Sequence, residues 1–150
     1  MLIEHRPGLD PELAALVTAQ QRETDEIGQG RPGAGFAPDD DFAYLVAVIA
    51  GRAVACAGWQ LLTDTVAELR RMYVRPAFRG RGIARQLIVA IEEEALAAGR
   101  LVIRLETGSH LPAAVALYQS SGYHQIPAYG EHAGNPGSVC FEKRLPALVL

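Results

Sequence analysis

Apolar positions in this chain follow two periods, and the periods separate strands from helices. AYLVAVIAGRAVACAGWQLL, residues 43–62, is apolar almost throughout and breaks at Ala50-Gly51-Arg52, the pattern of two strands joined by a hairpin. Thr63-Asp64-Thr65 makes a second turn, and VAELRRMYV at 66–74 follows as a third strand of the same antiparallel run. Its alternation has a fault. Leu69 falls on one face while Met72 and Val74 fall on the other. One extra residue near Arg70-Arg71, a β-bulge, returns all three to one side.

Helical spacing governs other stretches. Asp10 caps a helix that Pro11 opens, Glu12 adds an acid to its first turn, and Leu13, Leu16 and Val17 give it an apolar stripe. Ile83, Leu87, Ile91, Ala95 and Ala98 repeat at helical spacing up to Gly99, a C-terminal stop. LVIRLET at 101–107 is then a strand with Leu101, Ile103 and Leu105 on one face. Pro112 opens a further helix closed by Gly122, and SVCFEKRL at 138–145 is a last strand. Residues 2–6 add a short first strand, and 26–41, rich in Gly, Pro and Asp, reads as a long surface loop. These elements predict an α/β (α+β) fold in a single domain, 1–150, with a mixed sheet flanked by helices.

Composition changes this picture little. Hydrophobic residues make up 49% and charged residues 21% of the 150, as in ordinary globular proteins. The net charge of -3 argues against a nucleic-acid partner, whose binders are normally basic. No run has signal-peptide or membrane-spanning character. Cys56 and Cys140 each lie inside an apolar strand and read as buried small hydrophobes rather than a disulfide, which makes a cytoplasmic location the default. His5, His110, His124 and His132 show no ligand spacing, so they read as scattered surface residues and no metal is expected.

One stretch departs from ordinary patterning. RMYVRPAFRGRGIAR, 71–85, puts two glycines and five arginines where a strand hands over to a helix. The first N–H groups of a helix lack internal partners and lie at the positive end of its dipole. Gly80 and Gly82 remove the Cβ atoms that would keep a phosphate away, and Arg79 and Arg81 add charge nearby. A Rossmann fingerprint is excluded because its third glycine position holds Arg85, and no Walker string occurs.

Arg79-Gly80-Arg81-Gly82-Ile83-Ala84, within VRPAFRGRGIARQL, resembles the Q/R-x-x-G-x-G/A cofactor motif of the GNAT superfamily of acyl-CoA N-acyltransferases. AVALYQSSGY at 114–123 resembles that family's A-x-x-L-Y-x-x-x-G-F/Y helix, and the order of elements is the GNAT order. The resemblance implies a GNAT-type, mostly antiparallel central sheet with helices on both faces, and acetyl-CoA as co-substrate. It implies that the backbone of Met72, Tyr73 and Val74 pairs with the pantetheine arm, and that the amides of Arg79, Gly80, Arg81, Gly82, Ile83 and Ala84 hold the pyrophosphate. Tyr118 would sit beside the thioester sulfur. Many members carry Asn seven residues before that tyrosine, where this chain has Leu111.

Moving an acetyl group from sulfur to nitrogen needs a neutral amine, a stabilised oxyanion and a protonated leaving thiolate. Glu68 is the favoured base, with Glu106 the second candidate; Glu68 equally reads as a carboxylate paired with Arg70 or Arg104. The Met72 amide is the expected oxyanion donor, and Tyr118 the general acid. For the acceptor, Glu23, Asp25, Glu26 and Asp39 to Asp41 would attract a cationic amine, whereas Arg70, Arg71 and Arg104 would grip a carboxylate. Phe36 and Tyr129 would line either pocket. The expected activity is N-acetylation of a small amine or amino acid. A protein N-acetyltransferase and an idle CoA-binding sensor are the alternatives. The apolar PALVL at 146–150 suits a homodimer or a tail folded back on its own sheet.

Overall fold

The computed structural model describes residues 1–26 and 42–146. Most of the predicted 26–41 loop, with Phe36 and Asp39 to Asp41, lies outside the described residues. So do the side chains of Asp25 and Glu26 and the tail after Pro146. In chain order the elements are β1 (Leu2–Arg6), α1 (Pro11–Glu26), β2 (Ala43–Ile49), β3 (Arg52–Leu61), β4 (Val66–Val74), α2 (Ile83–Ala97), β5 (Val102–Gly108), α3 (Pro112–Ser120), β6 (His124–Ile126) and β7 (Ser138–Arg144). Short 3-10 turns cover Pro76–Phe78 and Gly130–His132. The strands form one sheet in the order β1-β2-β3-β4-β5-β7-β6. It is mixed: β4 runs parallel to β5, while the β1–β2, β2–β3, β5–β7 and β6–β7 pairs are antiparallel. The expected sheet class is therefore observed. Among the described residues, no helix is long and apolar enough to cross a membrane.

The chain packs as two compact units, one of Met1–Gln60 with Arg71–Ala90, the other of Leu61–Arg70 with Ile91–Leu150. In the first, Leu13, Leu16 and Val17 of α1 pack with Tyr44, Val46, Ala53, Cys56 and Tyr73. Asp10 caps α1 as expected, its Oδ2 accepting from the Leu13 N–H at 3.0 Å. Glu12 Oε2 accepts from the Ala53 N–H at 2.8 Å and ties the helix to β3. Gly58 makes room for a ring: a Cβ there would stand 2.9 Å from Tyr44 Cε1. The fault in β4 coincides with a backbone irregularity, since Arg71 takes φ 60, a left-handed conformation inside the strand. Its outcome differs from the expectation. Tyr73 enters the core of this unit, whereas Met72 and Val74 are only half-buried.

In the second unit β5 alternates as expected, with Ile103, Leu105 and Thr107 buried. Leu101 does not join them. It precedes the strand and is 48% exposed, held there by backbone bonds to Thr65 and Leu145. The stripe of α2, which begins in the first unit and ends in the second, is confirmed through Ile83, Leu87, Ile91 and Ala95, but Ala98 lies beyond the last turn and is exposed. Gly99 at φ 80 ends the helix, and the Arg100 N–H wraps back to the Ala95 carbonyl at 2.8 Å. Gly122 at φ 94 ends α3 in the same way, with the Tyr123 N–H on the Tyr118 carbonyl. Both cysteines are buried and free. The short strand β6 was not anticipated, because His124 and Gln125 are polar and the run lasts only three residues.

Candidate active site

Residues singled out in the sequence occur in both units. In the first unit, Gly80 and Gly82 each adopt φ 78, with open space where a Cβ would stand, and α2 starts directly after them at Ile83. The turn thus exposes backbone at a helix N-terminus, which is what a phosphate needs. The arginines are less available than the sequence suggests. Arg79 donates to both oxygens of Glu23, at 2.9 and 2.8 Å, and to the Val74 carbonyl at 2.8 Å. Its guanidinium also lies 5.5 Å from the centre of the Tyr73 ring. Arg81 reaches the Ala77 carbonyl at 3.3 Å and covers Phe78. Both arginines are thus engaged within the chain, and Glu23, read as an attractor of amines, is paired with Arg79.

The Met72–Val74 backbone is also engaged. Gln20 Nε2 donates to the Met72 carbonyl at 2.8 Å, and Arg79 holds that of Val74. A pantetheine arm pairing here would share or displace these contacts.

The second unit gathers the ionisable residues. Glu68 is 4% exposed, yet its carboxylate is not isolated. Tyr129 donates its hydroxyl to Glu68 Oε2 at 2.7 Å, and Arg70 Nε lies 3.8 Å from Oε1. Arg70 also faces Glu131 at 3.6 Å. The sheet register sets Glu68 opposite Arg104 and Arg104 opposite Glu142. Arg104 bonds Glu142 at 2.8 Å and stacks over the Tyr129 ring, and of the two pairings expected for Glu68 the one with Arg70 is present, at 3.8 Å. Glu106, the second candidate base, accepts from Ser138 Oγ at 2.6 Å. Burial, then the bond to Glu68, pushes the Tyr129 hydroxyl above the usual tyrosine range and keeps it a donor. Burial does the same for Tyr118, whose ring meets Tyr123 edge-on at 6.0 Å.

One expectation is corrected. His132 is no surface histidine: it is buried, edge-on to Tyr129, with Glu106 and Glu131 near its nitrogens. Tyr129, read as lining an acceptor pocket, also bonds the Glu68 carboxylate. Leu111 occupies the N-cap of α3 and supplies no side-chain cap, so the polar group that Asn would bring is missing there.

Residues 11–123 match the model of the Acetyltransferase (GNAT) family. The chain belongs to the GNAT acetyltransferases. This GNAT enzyme is 37% identical over 106 residues to an IAA acetyltransferase of Azospirillum brasilense, covering 70% of this chain and 69% of the relative. Among solved structures, a Klebsiella pneumoniae protein described as an acyl-CoA N-acyltransferase superposes with TM-score 0.80 at 31% identity, over 96% of this chain and 97% of that one. A GNAT acetyltransferase of Elizabethkingia anophelis with acetyl-CoA bound shares the fold at TM-score 0.70 and 14% identity, over 96% and 97%. The family match takes in Glu68, the 79–84 turn and Tyr118 of this GNAT chain and stops before Tyr129.

Proposed function

We propose that this GNAT acetyltransferase transfers an acetyl group to a primary amine of a small molecule by direct attack, without an acyl-enzyme. The observation that carries this reading is the buried Glu68 carboxylate, bonded by Tyr129 and linked through Arg70 to Glu131. Primary amines with pKa near ~10 are mostly protonated at neutral pH. Glu68, directly or through water, takes the proton that must leave before nitrogen can attack. Arg70 and Arg104 already face carboxylates of the chain, which favours an acceptor recognised by its amine over one gripped by a carboxylate.

Acetyl-CoA supplies the activated acetyl group. The backbone of Arg79 to Ala84 would hold its pyrophosphate, and the open φ 78 glycines fit that task. In this reading the Met72 amide steadies the oxyanion. The Tyr118 hydroxyl, kept neutral by burial, gives its proton to the departing thiolate. Support for the co-substrate comes from the family match and from the acetyl-CoA bound by the Elizabethkingia relative.

The test is thiol release from acetyl-CoA against a panel of amines, amino acids and short peptides. Free amines are expected to be the best acceptors. Glu68→Gln should lower kcat by about a hundredfold, the lower range of general-base catalysis. Tyr118→Phe should lower turnover while leaving CoA binding intact. A preference for peptides would move the assignment to a protein acetyltransferase, and wild-type turnover in both variants would leave a CoA-binding sensor.

A further inference from the structure

His132 is a buried polar residue that the proposed chemistry leaves unused. It is 3% exposed, and its Nδ1 is buried without a hydrogen-bond partner among the described residues. Phenylalanine would supply a similar ring without desolvating an unpaired nitrogen. Packing alone therefore does not account for an imidazole here. The nitrogens face carboxylates, Nδ1 at 3.9 Å from Glu106 Oε2 and Nε2 at 4.0 Å from Glu131 Oε1. The ring stands edge-on to Tyr129, with centroids 5.4 Å apart and planes at 86°.

The turn that carries it converges on the proposed base. Gly130 at φ 54 lets the chain fold tightly enough for the His132 N–H to reach the Tyr129 carbonyl at 3.0 Å. Tyr129 donates to Glu68, and Glu131 faces Arg70, which in turn faces Glu68. Within this turn, His132 Nδ1 is the buried side-chain polar atom left without a hydrogen bond among the described residues. The turn also lies outside the stretch that matches the family model.

We propose that His132 is a positioning residue for the base, resting on the reading of Glu68 given above. Its Nδ1–H closes on Glu106 when acceptor and acetyl-CoA are bound, and the ring then fixes the Tyr129 hydroxyl on Glu68. A shift of about 0.7 Å brings 3.9 Å within hydrogen-bond range. Hydrogen bonds of catalytic groups are often long in empty sites and tighten only in the loaded enzyme.

Steady-state kinetics test this, with acetyl-CoA and the best amine of the thiol-release panel. The variants are His132→Phe, His132→Asn, Tyr129→Phe, the His132→Phe/Tyr129→Phe double and Glu68→Gln, each checked by thermal melting. His132→Phe should fold and melt no lower than wild type. Its kcat should fall about tenfold, part of what a well-placed base contributes, with KM for acetyl-CoA nearly unchanged. His132→Asn, whose amide nitrogen overlays Nδ1, should recover much of that loss. The double variant should be no slower than the slower single one, since both act on one contact. Wild-type kcat in His132→Phe, no recovery in His132→Asn, or multiplying losses in the double variant would each overturn the proposal. If His132→Phe does not fold, His132→Asn combined with Tyr129→Phe decides by the same additivity. Full turnover in Glu68→Gln brings down the base assignment and the role of His132 together. An impaired Glu68→Gln beside an unimpaired His132→Phe brings down the role of His132 alone.

Discussion

Replacing Gly82 by alanine separates a backbone phosphate site from a mere turn. Gly80 and Gly82 are both at φ 78, and Gly99, past the other end of α2, is at φ 80; at none of them would a Cβ meet an atom within 4 Å. Alanine at each therefore carries the same local strain, about 1–2 kcal/mol for an L-residue in the left-handed region. For a chain of this length that lowers Tm by about 2–4 °C per kcal/mol, so all three variants should melt a few degrees early and remain folded. Coenzyme A binding should then divide them. If a diphosphate lies against the 79–84 backbone, a Cβ at position 80 or 82 holds it off. Losing one bond to a charged group is worth about 1.5–3 kcal/mol, or roughly ten- to a hundredfold in Kd. Gly99→Ala should bind as wild type does. Calorimetric titration with coenzyme A reads the difference directly. Equal affinity in all three variants would refute the backbone site, since the strain is matched and only the position of the Cβ differs.

Glu23→Gln releases the Arg79 guanidinium, and it should tighten coenzyme A binding at low salt. The pair is half exposed, so the gain stays below about 1 kcal/mol and vanishes at about 1 M salt, where screening acts within about 3 Å; weaker binding in this variant would mean that Arg79 faces away from the ligand. Burial raises the hydroxyls of Tyr118, Tyr123 and Tyr129, with Glu92 adding to the effect at Tyr123 and Glu68 at Tyr129. A raised folded-state pKa favours the neutral form in the fold, so this stability is full below the unfolded value near ~10 and is lost as pH rises beyond it. Phenolate absorbance and circular dichroism followed together above that pH should therefore change in one step, and phenolates forming in an intact fold would contradict the burial.

The fold was legible where its cause is local. The α2 stripe, the glycine stops at 99 and 122 and the Asp10 cap follow from short-range rules, and each is present. The β4 fault was legible too, because strict alternation cannot hold Leu69 and Met72 on one face, and Arg71 at φ 60 is where the strand yields. Which residue beyond that irregularity is buried was not legible. Leu13, Leu16 and Val17 of α1 make the surface that Tyr73 packs into, and nothing within VAELRRMYV announces a partner more than fifty residues earlier. β6 escaped for a related reason. Its pairing with Phe141 and its neighbours in β7 makes a strand of a segment with hardly any apolar alternation of its own.

The candidate site divides along the same line. Glycines at left-handed φ and a helix start are properties of a few consecutive residues, so the 79–84 turn could be read directly. The charges around it could not, because a guanidinium is committed by whichever carboxylate the tertiary structure brings near. Arg79 went to Glu23 and Arg104 to Glu142, each a choice made by packing and register. Glu68 shows the consequence for function. From sequence it is a carboxylate between apolar neighbours, equally a base or half of an ion pair. In the fold it is nearly sealed from water, bonded to a tyrosine from a distant turn, with Arg70 held back at 3.8 Å and divided between two acids. The proposed base role rests on that burial and that tyrosine bond, neither of which the residues around Glu68 in the chain could announce.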